Sequence, residues 1–344
     1  MRRINTYLAF VIAGIVAGGA LPAILYGFSS RSVVNGMIIG AAVALTLATL
    51  EHSRLSESFR RMPFLQALVL RTMLQIAIVG FYAIVFVLVL KMLRDDVSLA
   101  GAYSASETQR FLYGGDLLYI VIYALTALFL INLVRQMNRM LGQNVLLNVI
   151  AGKYSRPVEE ERIFMFLDLD ASTTLAERLG NIRFHELIDD YIYDITPAIT
   201  STGGEIYQYV GDEIVVTWKN GTLKSAINCI DCFFSVNHIM DSLAPKYIAK
   251  YGDAPAYKAG IHSGKVIVGV IGDIKKEIVF QGDVVNTASR IKEKCHSLGA
   301  KILVSHDLLA EIPKDELKYN AERVGSFLLK GKEHEVELYS ITEA

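Results

Sequence analysis

The apolar run IFMFLDLD reads as a buried strand whose last residues include two carboxylates, Asp168 and Asp170. Thr174-x-x-Glu177 follows with the spacing of a capping box, which would open a helix at about Leu175. The loop from Leu169 to Thr173, Ser172 included, then presents backbone N–H groups at a helix N-terminus, an anion site beside a carboxylate. That pairing suits a metal-bound phosphate. Farther on, EIYQYV and EIVVTW flank Gly211-Asp212, a strand-turn-strand signal that lifts Asp212 to a hairpin tip. If the hairpin pairs beside the first strand, Asp168 and Asp212 converge and can bridge two Mg²⁺ ions, the hard cation that accompanies triphosphates. Either aspartate alone would read as a structural turn residue.

The elements that must position these groups begin near Arg162, where short apolar runs alternate with amphipathic helices as in an α+β domain. KAGIHSGKVIVGVIG reads as two strands around a glycine turn, and IVFQGDVVNTASRIKEK enters a helix on which Asn286 and Arg290, four residues apart, share a face. Lys330 lies in FLLKGKEHEVELYSI, a terminal strand pair. In isolation each of these is a solvated polar residue. Cys229 and Cys232 fall on the apolar spacing of AINCIDCFF. With no second Cys/His pair beside them they read as two core thiols on a helix face, not as a metal or redox site.

Ahead of this half stands a very different one. The chain has 344 residues, 52% hydrophobic and 20% charged, with a mean hydropathy of +0.36, too apolar for an ordinary soluble protein. The net charge of −1 conceals 12 Lys/Arg against 6 Asp/Glu in residues 1–142, and 22 against 29 in residues 143–344. A basic apolar half joined to an acidic half suggests membrane and cytosol, and argues against nucleic acid as a partner. Tyr7 to Phe28, Val33 to Leu50, Met73 to Leu90 and Leu117 to Leu133 are each close to the length that spans a bilayer, so four helices in contact with membrane lipid are expected. The first apolar run is longer than a signal-peptide core and reads as a retained helix. Arg2, Arg3, Arg54, Arg60, Arg61, Arg135 and Arg139 fall on one side, and Arg31, Lys91, Arg94 and Arg110 on the other. Seven against four places both termini and the second half in the cytoplasm of a multi-pass cell-membrane protein. Gly14-x-x-x-Gly18 and Gly36-x-x-x-Gly40 would let helices approach closely inside one bundle, and Asn35, Gln75 and Asn132 should face other helices. Any ligand of the membrane half is not identified by its sequence.

The fourth span runs on into Leu133, Met137, Met140, Asn144, Leu147 and Ala151, spaced by four and three as in a heptad seam. This predicts a short parallel dimer stalk, with Asn144 against its copy fixing register and Pro157 ending the helix. Three parts result: a membrane domain over 1–133, a helical stalk over 134–159 and a catalytic domain over 160–344.

FMFLDLDASTTLAERLG, YQYVGDEIVVTW, AGIHSGKVIVGVIG, GDVVNTASRI and LLKGKEHEVELYSI, in that order and spacing, resemble the class III nucleotidyl cyclase catalytic domain. The resemblance covers about residues 160 to 342. It implies an α-helical four-span membrane domain followed by an α+β, ferredoxin-like class III cyclase domain, with active sites at a head-to-tail homodimer interface. Asp168 and Asp212 match the metal-binding aspartates, with the Leu169 carbonyl as a further ligand for two Mg²⁺ per site, Mn²⁺ being a substitute. Ser172 and Thr173 stand where substrate phosphates would bind. Asn286 and Arg290 match the ribose-orienting amide and the transition-state arginine supplied by the other subunit, and Lys330 the lysine that meets the triphosphate. The implied reaction is attack of the ribose 3′-hydroxyl on the α-phosphorus with loss of pyrophosphate.

At the positions that select the purine, where adenylate cyclases commonly carry Lys and Asp or Thr, this chain has Gln208 and Val279. A glutamine amide offers both donor and acceptor, so it meets adenine or, flipped, guanine. Guanylate cyclases usually carry Glu at the first position, so its absence favours ATP, with GTP as the alternative substrate. VGDEIVV superficially resembles the hairpin of diguanylate cyclases, but Val210 replaces its first glycine. A non-enzymatic membrane receptor would leave the filled catalytic set unexplained.

Overall fold

The computed structural model describes residues 2–26, 30–51, 59, 62–142, 148, 151–313 and 315–343. The chain divides into two compact units, Met1–Met140 and Leu141–Ala344.

The first unit is helical. Helices α1 (Arg2–Tyr26) and α2 (Ser30–Glu51) meet along their glycines: a Cβ on Gly14 would overlap the Gly40 carbonyl, and one on Gly18 the Gly36 carbonyl. The two small-residue motifs therefore pack against each other within one chain. α3 (Phe64–Asp95) ends at Asp96 in the left-handed region. Two short helices, α4 (Leu99–Ser104) and α5 (Ser106–Tyr113), lead to α6 (Asp116–Leu141). Asn132 on α6 donates to Thr72 Oγ1 at 3.0 Å and to Gln75 Oε1 at 2.7 Å on α3, so two of the polar side chains expected to face other helices do so. Three helices among the described residues are long and apolar enough to cross a membrane, within Ser32–Leu50, Phe64–Asp95 and Ser106–Asn138. The apolar stretch of α1, Phe10–Ile24, is shorter. α6 gives way at Gly142, whose φ is +99°, and residues 151–156 are turns and bends. Asn144 and Leu147, central to the predicted heptad seam, lie outside the described residues.

The second unit is one eight-stranded sheet covered on both faces. Its strands are β1 (Val158–Leu169), β2 (Glu205–Val210), β3 (Glu213–Lys219), β4 (Tyr257–Ile271), β5 (Glu277–Gln281), β6 (Ile302–Ser305), β7 (Tyr319–Phe327) and β8 (Val336–Glu343). They run in the order β2-β3-β1-β4-β6-β8-β7, with β5 also on β4. All pairings are antiparallel except β4 with β6. Alternation along β1 sorts its side chains. Ile163, Met165 and Leu167 face a core shared with α8 (Asn181–Ser201) and α9 (Leu223–Tyr251), whereas Phe164 and Phe166 face α10 (Asp283–Leu298). Cys229 and Cys232 are fully buried in the first of these cores, as two core thiols should be; burial pushes the Cys232 thiol up to about 12. Across α8 and α9, Asp190 accepts from Lys250 at 2.6 Å and Tyr251 at 2.8 Å. One turn on, Asp194 accepts from Lys246 at 2.6 Å and Tyr247 at 2.7 Å.

Two local expectations are corrected. KAGIHSGKVIVGVIG is one continuous strand, not two around a turn. Its Gly260 serves a close approach: a Cβ there would overlap the Lys292 amide nitrogen of α10. The helix after β1, α7, spans Ser172–Leu179, so it opens three residues before Leu175. Ala171, left-handed at φ +51°, turns the chain, and the Leu175 N–H donates to the Ala171 carbonyl. Thr174 consequently lies inside the first turn and does not cap it.

Candidate active site

β3 lies beside β1 with Leu167 opposite Ile214, and Gly211 at φ +66° makes the β2–β3 turn. This pairing sets the end of β1 next to the hairpin tip, bringing Asp168, Asp212 and Glu213 together. Burial raises the Asp168 carboxyl above the ordinary carboxylate range; Lys292 opposes the shift and the Asp212 charge adds to it. Burial likewise raises Glu213, with Lys292 again opposing and both aspartates adding. Asp212 Oδ2 is buried without a hydrogen-bond partner among the described residues. Buried carboxylate oxygens ordinarily find partners, so an orphaned one beside a second carboxylate fits a divalent cation. Among the described residues no cluster of three His, Cys, Asp or Glu side chains forms a closed cage, and a two-carboxylate site completed by a nucleotide needs none. Leu169 is buried to 2% exposure, and its apolar side chain leaves the backbone carbonyl as its one oxygen. Ser172 is half-buried and Thr173 exposed in the first turn of α7, where amides lack intrahelical partners.

Two lysines attend these carboxylates, and neither stood out in the sequence. Lys292 Nζ on α10 is 3.1 Å from Asp168 Oδ2 and 2.7 Å from Glu213 Oε2. Lys258 on β4, directly across from Asp168, is 4.0 Å from it and 3.3 Å from Asp170. RIKEK looks like the solvated face of a helix, and only the closeness of α10 to β4 turns Lys292 inward.

A second group forms elsewhere. Asn286 on α10 and Lys330, between β7 and β8, are exposed, and Arg290 is half-buried. A Cβ on Gly331 would lie 3.5 Å from Arg290 Nη1, so the guanidinium rests against the residue following Lys330. Lys332 pairs with Asp283 at the start of α10, tying that loop to the helix. Beneath, buried His262 shares a 2.8 Å hydrogen bond with Ser305 Oγ, and burial pulls its pKa down to about 4. Lys292 follows Arg290 by two residues, roughly 200° around the helix axis. Arg290 and Lys292 therefore leave α10 on opposite sides, and among the described residues no hydrogen bond or ion pair joins the two groups.

Gln208 and Val279 lie on β2 and β5, exposed and half-buried respectively. Their neighbours Tyr207 and Phe280 pack edge to face with ring centroids 4.8 Å apart, and the register of β2 on β3 shifts at Tyr207.

Residues 156–343 match the model of the adenylate and guanylate cyclase catalytic domain. The chain belongs to that family. It is similar to adenylate cyclase 2 of Rhizobium meliloti, 33% identical over 244 residues, which are 71% of this chain and 66% of the relative. A light-regulated bacterial adenylyl cyclase shares the fold at a TM-score of 0.54 and 20% identity, covering 65% of this chain and 64% of that one. The adenylyl cyclase CyaB of P. aeruginosa does so at 0.50 and 23%, covering 55% of this chain and 97% of that one. The chain thus spans just under two thirds of the length of the Rhizobium relative.

Proposed function

We propose that the protein is a membrane-bound adenylate cyclase that converts ATP to 3′,5′-cyclic AMP and pyrophosphate in a homodimer. The observation that carries the reading is the orphaned Asp212 oxygen buried beside Asp168, within a chain of the cyclase family. Asp168, Asp212 and the Leu169 carbonyl would hold two Mg²⁺ ions, or Mn²⁺ in their place. When bound, such ions supply charge neutralisation on the triphosphate and acidify the ribose 3′-hydroxyl. The chain's own groups do the rest. The amides at Ser172 and Thr173 receive phosphate oxygens at the α7 N-terminus. Asn286 orients the ribose so that the 3′-oxygen lines up with the α-phosphorus, Arg290 offsets charge that grows there, and Lys330 holds the departing pyrophosphate.

Because Asn286, Arg290 and Lys330 lie across α10 from the carboxylates of their own chain, a head-to-tail partner brings its set to them, giving two composite sites per dimer. Pairing of two copies around Asn144, in the segment that follows the break of α6 at Gly142 and precedes the turns of residues 151–156, would help hold the two catalytic domains together. Gln208 and Val279 line the purine side. The absence of a glutamate at Gln208 supports ATP over GTP, the alternative being a guanylate cyclase. The distribution of arginines supports a cytoplasmic catalytic domain and cytoplasmic termini. Incubating the purified full chain with ATP or GTP plus Mg²⁺, and separating the products by chromatography, tests the assignment. Cyclic AMP from wild type and none from Asp212→Ala supports it. Cyclic GMP would move the substrate to GTP, and no cyclic product from either nucleotide overturns the enzyme reading.

A further inference from the structure

Lys292 is the unexpected member of the acidic group. Its ammonium bridges Asp168 Oδ2 and Glu213 Oε2, at 3.1 and 2.7 Å, and the three side chains are only 14%, 17% and 13% exposed. Asp212 Oδ2, the orphaned oxygen of the same group, receives nothing from it. The cation therefore satisfies one of the two proposed metal-binding aspartates together with a glutamate outside the proposed metal set, and leaves the other aspartate open. We infer that Lys292 is a tethered cation that occupies the Asp168 side of the metal site before nucleotide arrives, competes with the divalent ion for Asp168, and so sets the metal concentration the enzyme requires.

The inference rests on the metal-site reading above and adds what regulates that site. An ammonium in contact with a carboxylate repels an incoming divalent cation, most strongly where water is largely excluded. Lys292 cannot be displaced without consequence, because it shares α10 with Asn286 and Arg290. Gly260 presses that helix against β4 with no room for a methyl group. Lys292 therefore leaves the carboxylate by rotating its side chain towards Glu213, which retains it as a partner while a metal ion takes Asp168. Lys292 thus acts through the carboxylate and touches no reacting atom, which makes it a positioning residue.

Mn²⁺ binding to the purified full chain, followed without nucleotide by the electron paramagnetic resonance signal of free Mn²⁺ at pH 8, tests this apart from turnover. Lys292→Met should bind Mn²⁺ about tenfold more tightly than wild type, as expected when one adjacent positive charge is removed. Lys292→Arg, which keeps the charge, should not. Lys292→Gln serves the same test should the methionine variant fail to fold. Asp168→Asn and Asp212→Asn report on the underlying reading. If both bind Mn²⁺ as wild type does, the metal-site reading falls. If they lose Mn²⁺ while the neutral Lys292 variants bind no more tightly than wild type, the metal site stands and the competing role of Lys292 is overturned.

Discussion

The two sides of α10 are built on opposite principles. On one, Asp168 and Glu213 are brought together by strand pairing and already share Lys292, with Lys258 close behind. On the other, Asn286 and Lys330 reach into solvent and Arg290 rests against Gly331. The acidic side is largely paired already, with Asp212 Oδ2 buried and without a hydrogen-bond partner among the described residues, whereas the basic side presents its polar groups outward. Such a difference is what the proposed composite site requires, in which one half would hold cations and the other would reach it from a second copy.

The largest effects should come from cutting either side. Asp212→Ala or Arg290→Ala should each lower cyclisation by about 10³-fold in a chromatographic assay, with the circular dichroism of the fold unchanged. Wild-type turnover in either would remove that side from the chemistry. Mixing the two inactive variants is the sharper test. Random pairing leaves one intact site in about half of the dimers, so about a quarter of wild-type activity should return. No recovery from demonstrated heterodimers would mean that each chain builds its site alone.

A smaller effect concerns the support of the basic side. Burial holds the folded His262 pKa at about 4, below the ordinary value. Between about pH 6.5 and 4 the unfolded chain takes up a proton that the folded chain refuses, so stability falls as pH drops through that window, by about 3 kcal/mol in full. His262→Gln should flatten this segment of a plot of unfolding temperature against pH. An unchanged slope would show that His262 titrates normally. Mildest should be Gln208→Lys, which is expected to shift the ATP/GTP ratio of kcat/KM towards ATP by about tenfold. A shift towards GTP would mean that Gln208 does not face the purine.

The acidic side was largely legible in the sequence and the basic side only through resemblance. Asp168 and Asp212 follow from two local signals, an apolar strand and a glycine turn, whose consequences survive in β1 and the β2–β3 hairpin. Asn286 and Arg290 are polar residues on a polar helix face, and no local pattern separates them from solvated neighbours. Lys292 was illegible for a related reason: its inward direction depends on contact between α10 and β4, which the residues around it do not encode. Glycine itself misled, since it marks turns and close approaches alike; at Gly260 it is the latter, pressed against α10, and Gly264 sits within β4 in ordinary contact with Val284. Ala171 misled in the opposite sense, adopting a left-handed turn that its residue type does not advertise.

Gly260 contributes no side chain, hydrogen-bonding group or charge beyond its backbone, yet it acts as the datum from which three other residues are measured. α10 lies against it with no clearance, and a helix moves as a rod. A single added methyl would therefore displace Asn286, Arg290 and Lys292 together and in fixed proportion, not one at a time. Where an error of about 1 Å can cost about a hundredfold in rate, the placing of all three proposed site residues would answer to a position that has nothing to adjust.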